Sequence, residues 1–114
     1  MTDIVEYDIG ATASVVIANG QTVSEAAPFY GLRLVGLITP AALTGTSVTF
    51  QGSVDGVTYV PIYDSAGAVI TATVSTSRWT VLDPADFAGM AYIKVVSGSA
   101  EGAARTIVLI ARPV

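Results

Sequence analysis

Carboxylates are the first side chains to question for chemistry here, because the 114-residue chain contains neither histidine nor cysteine. Without histidine it lacks the usual general base near neutral pH and the commonest zinc ligand. Without cysteine it has no thiolate nucleophile, thiolate metal site or disulfide framework. A Ser-His-Asp arrangement is impossible. Two acids flanking one bond, as glycosidases use them, remain conceivable. Asp83 and Asp86 are the closest such pair in the sequence. A helix start explains them more simply: Asp83 caps, Pro84 takes the first helical position, and Asp86 sits in the first turn, where the dipole favours an anion. Asp55 and Asp64 have sufficient roles in turns. No stretch resembles an Asp-x-Asp-x-Asp-Gly calcium loop. Gly98 and Gly102 lie in a loop with no helix after it to cradle a phosphate, and Ser97–Gly102 reads as a flexible hairpin loop. The expectation is a protein without catalytic residues, metal or cofactor.

Aromatic side chains are the remaining handle for a ligand. Tyr59, Tyr63, Trp79 and Tyr92 would form a sugar-stacking platform if one exposed face carried them all. Aromatics in alternating strands more often pack in a core or an interface, and that is the expectation, with Trp79 as a large anchor. Arg33, between Leu32 and Leu34, either points to solvent or pairs across a contact, and solvent is the expectation. Arg33, Tyr59, Tyr63, Trp79 and Tyr92 are therefore the candidate interface or ligand-contact residues.

Composition narrows the class of partner. Only 12% of the chain is charged, against about 25% in an ordinary soluble domain. Either a Thr, Ser, Gly and Ala exterior suffices for solubility, or the sides are buried in an assembly, since obligate interfaces are depleted in charge. We favour the second. The net charge is −4, Lys94 is the only lysine and the four arginines are scattered, so the clustered basic stripe that nucleic acid requires is missing. Met1–Glu6 is acidic and lacks the basic start and apolar run of a secretory signal. Apolar runs are too short for a membrane span. Synthesis in a cytoplasm and a soluble life are expected.

These residues need elements to position them, and the pattern is that of sheet. Apolar residues alternate in short Val-, Ile-, Thr- and Tyr-rich blocks separated by Gly, Pro, Asn and Asp. The blocks are Ile4–Ile9, Ala13–Ala18, Tyr30–Ile38, Ser47–Val54, Val57–Tyr63, Val69–Val74, Arg78–Leu82, Ala91–Val96 and Arg105–Ala111. Ile107–Ile110 is apolar on both faces, as in a central strand covered on both sides or a strand facing a partner. Asp55-Gly56 is a strong hairpin signal, with Asn19-Gly20 and Asp64–Gly67 as further turns. A two-residue turn at Asp55-Gly56 would place Phe50 with Tyr59 and Pro61, and a three-residue turn with Val60 and Ile62. Thr39–Leu43 and Asp83–Phe87 each predict a single helical turn. The whole is one domain of the common size, residues 1–114, in which residues 1–28 are an N-terminal strand or an arm that adds a strand to a neighbour.

Val48–Gly67 (VTFQGSVDGVTYVPIYDSAG) resembles the hairpin of jelly-roll sandwich modules, where Phe-x-x-Ser-x-Asp-Gly-x-x-aromatic recurs. Together with LVGLITP (Leu34–Pro40), RWTVLDPADFAG (Arg78–Gly89), YIKVVSG (Tyr92–Gly98) and RTIVLIARP (Arg105–Pro113), it resembles small β-sandwich virion proteins of tailed bacteriophages. The likeness covers residues 30 to 113 and carries no catalytic or metal motif. It implies an all-β antiparallel, jelly-roll-like sandwich with one or two single-turn helices. It also implies a non-enzymatic role in decorating or cementing the capsid, with the major capsid protein as partner and a homo-oligomer, a trimer favoured. The alternatives are a neck, tail or fibre component, and a carbohydrate-binding module with a glycan as partner.

Overall fold

Among the described residues, alternation of small or β-branched apolar residues with Thr, Ser and Gly builds nine short strands, the longer of which bury one face. The computed structural model describes residues 11–113, and the expected strand at Ile4–Ile9 lies outside them. The strands are β1 (Ala11–Ile17), β2 (Ala27–Pro28), β3 (Arg33–Ile38), β4 (Ser47–Ser53), β5 (Val60–Pro61), β6 (Thr71–Thr73), β7 (Trp79–Val81), β8 (Tyr92–Ser97) and β9 (Arg105–Arg112). They form two antiparallel sheets, β1-β9-β3-β7 and β2-β8-β4-β5, with β6 also on β4.

β5 and β6 pair with successive stretches of one β4 edge, opposite Gln51–Gly52 and Ser47–Thr49. Between them the chain leaves the edge as a small excursion, closed by the Tyr63–Val69 bridge and by Ile70 N–H donating to the Ile62 carbonyl at 3.0 Å. Counted as one interrupted strand, they leave β4 to β5 as the one connection within a sheet; every other connection crosses between sheets. That wrapping is a jelly roll, as the resemblance of Val48–Gly67 to jelly-roll hairpins implied.

The core lies between the sheets. Val15, Leu34, Leu37, Ile107 and Leu109 face Phe50, Val48, Ile93 and Val95, all at most 1% exposed. Phe50 and Phe87 meet edge to face with ring centroids 5.0 Å apart, a geometry that adds to area burial. Phe87 arrives on a single 3-10 turn, Pro84–Phe87, which Asp83 caps by accepting from Ala85 N–H at 3.0 Å. Asp86 lies in its first turn, so both acids have the structural roles their spacing suggests.

The second expected helical turn, at Thr39–Leu43, does not form. The Thr39 hydroxyl is buried and engaged elsewhere: it donates to the Ser75 carbonyl and accepts from Arg78 N–H at 3.0 Å. Committed to the turn before β7, it is not available to cap. Asp55-Gly56 likewise heads no two- or three-residue hairpin, because residues 54–59 form a longer loop between β4 and β5. The Asp55 carboxylate accepts from Val57 N–H (2.8 Å), Thr58 N–H (3.0 Å) and the Ser53 hydroxyl (3.0 Å). Gly56 adopts φ 78°, and a Cβ there would press on the Tyr92 ring at 2.9 Å, so glycine is required on both counts. The Gln51–Pro61 register puts Phe50 and Ile62 together on the core face. The turns at Asn19-Gly20 and Asp64–Gly67 form with positive φ at each glycine.

Leu109 is fully buried in the central strand of its sheet. Leu109→Ala is expected to lower unfolding free energy by about 3 kcal/mol in urea titrations. Val81→Ala, on an exposed edge position, should change it by less than about 0.5 kcal/mol.

Candidate functional site

Among the described residues the most constrained polar group is Glu101, 1% exposed in the β8–β9 loop. Its Oε1 accepts from Thr44 N–H (2.8 Å) and the Arg105 guanidinium (3.0 Å), and its Oε2 from Gly45 N–H (3.0 Å) and the Ser97 hydroxyl (2.7 Å). Its backbone ties a third segment, accepting from Gly20 N–H at 2.7 Å and donating to the Gln21 carbonyl at 3.0 Å. Burial alone would raise the carboxyl, but the Thr44 and Gly45 amides, the Ser97 hydroxyl and Arg105 outweigh it and hold its pKa at about 2. A Cβ on Gly45 would collide with the Ser97 hydroxyl, so glycine lets that strand of chain approach. The loop expected to be flexible is thereby pinned, and the reason is a buried ion pair within a full set of donors. Glu101 is ionised and fully engaged, which suits an internal strut.

The candidate contact residues divide between the two sheets. Trp79 is 61% exposed on the outer face of β7, its indole lying across Gly36 of β3. Tyr63 is exposed on the β5–β6 excursion. Tyr59 and Tyr92 are half-buried on the second sheet's outer side. None of the four belongs to the core, which takes Phe29, Phe50 and Phe87 instead; a hydroxyl or indole N–H is easier to satisfy in water than between sheets. Nor do they share one platform. The Lys94 ammonium lies over the Tyr59 ring, 4.2 Å from its centroid. Tyr92 meets Tyr30 edge-on at 5.2 Å, their hydroxyls hydrogen-bonded. Arg33 is exposed at the start of β3, directly opposite Arg112 on β9.

Glu25, Asp55, Arg78 and Asp83 are exposed elsewhere, but one broad face is almost without charge. By strand alternation the outer face of the first sheet presents Thr12, Ser14 and Val16 of β1, Thr106 and Val108 of β9, Ile38 of β3, and Trp79 and Val81 of β7, with Ile110 of β9 covered at 2% exposed. Charge appears only at its end, with Arg33 and Arg112. Ile107–Ile110 is thus a central strand whose inner residues pack in the core and whose outer ones lie under this apolar face.

Sequence reasoning missed a cleft of about 430 Å³ at the end of the second sheet, walled by Val54, Val60, Pro61, Ile62, Tyr63 and Met90, with Ser53, Asp55 and Thr58 as its polar groups. Backbone amides of Thr58 and Val57 and the Ser53 hydroxyl hold the Asp55 carboxyl below its ordinary range. Met90 also borders a second hollow of about 340 Å³ beside Tyr30 and Arg33. Exposed valines in a turn-rich segment, Val54, Val57 and Val60, were the available signal. Among the described residues no three His, Cys, Asp or Glu side chains are grouped to hold a metal ion.

The Glu101 carboxyl has a lower pKa folded than unfolded, about 2 against 4.5. Its contribution is therefore complete above pH 4.5 and lost as pH falls towards 2. Glu101→Gln is expected to cost roughly 3 kcal/mol at pH 7. The gap between wild type and variant should narrow in urea melts between pH 4.5 and 2.

No protein-family model matches the chain and no curated protein matches it, so the functional argument rests on these surfaces.

Proposed function

We propose that the protein is a non-enzymatic structural component of tailed-bacteriophage virions that binds the major capsid protein lattice and reinforces it. The observation that carries this reading is the outer face of the β1-β9-β3-β7 sheet, apolar or hydroxylic along its length and free of ionisable side chains except Arg33 and Arg112 at one end. A lone soluble domain normally interrupts such a face with charges of both signs. A subunit packed among neighbours has no use for them, because charge at the centre of an interface must be desolvated. The pinned β8–β9 loop suits the same role, since a rigid surface has less entropy to lose on docking. Individually weak contacts suffice on a lattice, where many copies act at high effective concentration.

Immunogold labelling of purified phage particles from the source of this sequence tests the proposal, using antibody raised against the chain. Gold distributed over the heads is expected. Label confined to tails moves the protein to the neck, tail or fibre, and particles that carry none of it overturn the virion reading.

A further inference from the structure

Among the described residues most exposed apolar side chains gather in two places, with Tyr30 and Val23 standing apart. Trp79 and Val81, 61% and 81% exposed, stand on the outer face of the edge strand β7. Val54, Val57, Val60, Tyr63 and Val69 are exposed in the segments that build or adjoin the cleft at the other sheet. One feature is a knob and the other a hollow. At about 430 Å³ the cleft falls in the range that accommodates a drug-sized group, ample for an indole.

Charge matches in the same sense. Arg78, exposed, immediately precedes Trp79, and makes no ion pair among the described residues, where Arg105–Glu101 is the one salt bridge. Asp55 stands in the wall of the cleft. Its Oδ1 takes all the hydrogen bonds from Val57, Thr58 and Ser53, and its other oxygen takes none from the described residues. Position completes the match. Trp79 pairs with Ile38, where β3 leaves for the Glu101 end of β4. The cleft lies past Ser53, at the opposite end of β4.

We propose that a second copy of this chain inserts Trp79 and Val81 into the cleft, with its Arg78 against Asp55. Knob and cleft lie on different sheets, so the contact is head-to-tail. Repeated, it closes into a ring, such as a trimer, or runs on as a filament. Trp and Arg are the side chains that most often dominate an interface. The inference deepens the assembly reading above by naming the partner surface, and it stands or falls in solution, apart from whether particles carry the protein.

The test uses the purified full chain, light scattering behind a sizing column, and the fluorescence of Trp79, the only tryptophan. Wild type is expected to associate at about 100 µM, with a blue shift of emission as the indole leaves water. Trp79→Ala and Val60→Arg should each weaken association at least about tenfold and run as folded monomers, with far-UV circular dichroism unchanged. Mixed in equal amounts, they should form a one-to-one dimer, because the knob of one and the cleft of the other are intact. A wild type that stays monomeric overturns the proposal. Oligomers that survive both substitutions overturn it too, as does a mixture that stays monomeric, which would point to a symmetric contact. Arg78→Glu with Asp55→Asn adds the electrostatic arm: each alone should weaken association, and unchanged affinity in both would remove Arg78 and Asp55 from the contact.

Discussion

Glu101 is the point on which one end of this sandwich depends. A carboxylate moved from water into a protein interior carries a penalty of several kcal/mol unless hydrogen bonds replace its hydration. Here two backbone amides, a hydroxyl and a guanidinium do so, from three places along the chain: Thr44 and Gly45, Ser97, and Arg105. The penalty thus becomes a geometric demand, because any loop that moves away leaves the anion short of a partner. Sheets and loops are coupled through it: Ser97 ends β8, Arg105 begins β9, and the crossover from β3 passes through Thr44 and Gly45 into β4. A chain without disulfides obtains from one anion the kind of loop tethering that small domains often take from a cross-link.

The opposite end is built on another principle. There Asp55 caps its own loop while leaving an oxygen free, and Gly52 keeps a Cβ out of the space taken by Met90 and Ile62. Val54 and Val60 wall the hollow without filling it and stay exposed. A sandwich of this size has core positions enough for its apolar residues, since Phe50, Ile62 and Phe87 already close the interior. Val54, Val57 and Val60 are therefore surplus to folding, and their exposure is a property of the surface. The contrast between a satisfied end and an unsatisfied one gives the molecule a direction.

Much of the architecture was legible because it rests on local rules. Two-residue alternation located β1, β3, β4, β8 and β9, and the Asp83-Pro84 signal located the 3-10 turn. The Asp64–Gly67 turn followed from side-chain chemistry that needs no tertiary context. What was not legible depended on distant partners. Thr39 looks like a helix cap, yet its hydroxyl is claimed by the Ser75–Arg78 turn 36 to 39 residues away. Glu101, alone in a Gly- and Ser-rich loop, looks like an exposed acid, and only the arrival of Thr44 and Gly45 makes it a buried one. Tyr59, Tyr63, Trp79 and Tyr92 all fall in strand-like blocks, but the crossovers of the jelly roll send Trp79 to one sheet and the tyrosines to the other. Periodicity states which face of a strand a residue takes, and it is silent on which sheet the strand joins.

That separation bears on what kind of contact the molecule favours. If the apolar face of the first sheet packed on itself about a twofold axis, Trp79 and Val81 would meet a similar surface, and the hollow on the other sheet would stay unfilled. Arg33 and Arg112, side by side at one end, are already a like-charge pair, which is unfavourable across strands. A second pair brought near by symmetry would add to the repulsion wherever the two ends coincide. Contact between unlike surfaces avoids this: it fills the hollow, pairs an exposed guanidinium with a carboxylate, and leaves Arg33 and Arg112 outside. With few charges on the molecule, the placement of each one discriminates strongly between docking modes, and a sparsely charged exterior becomes a specific one.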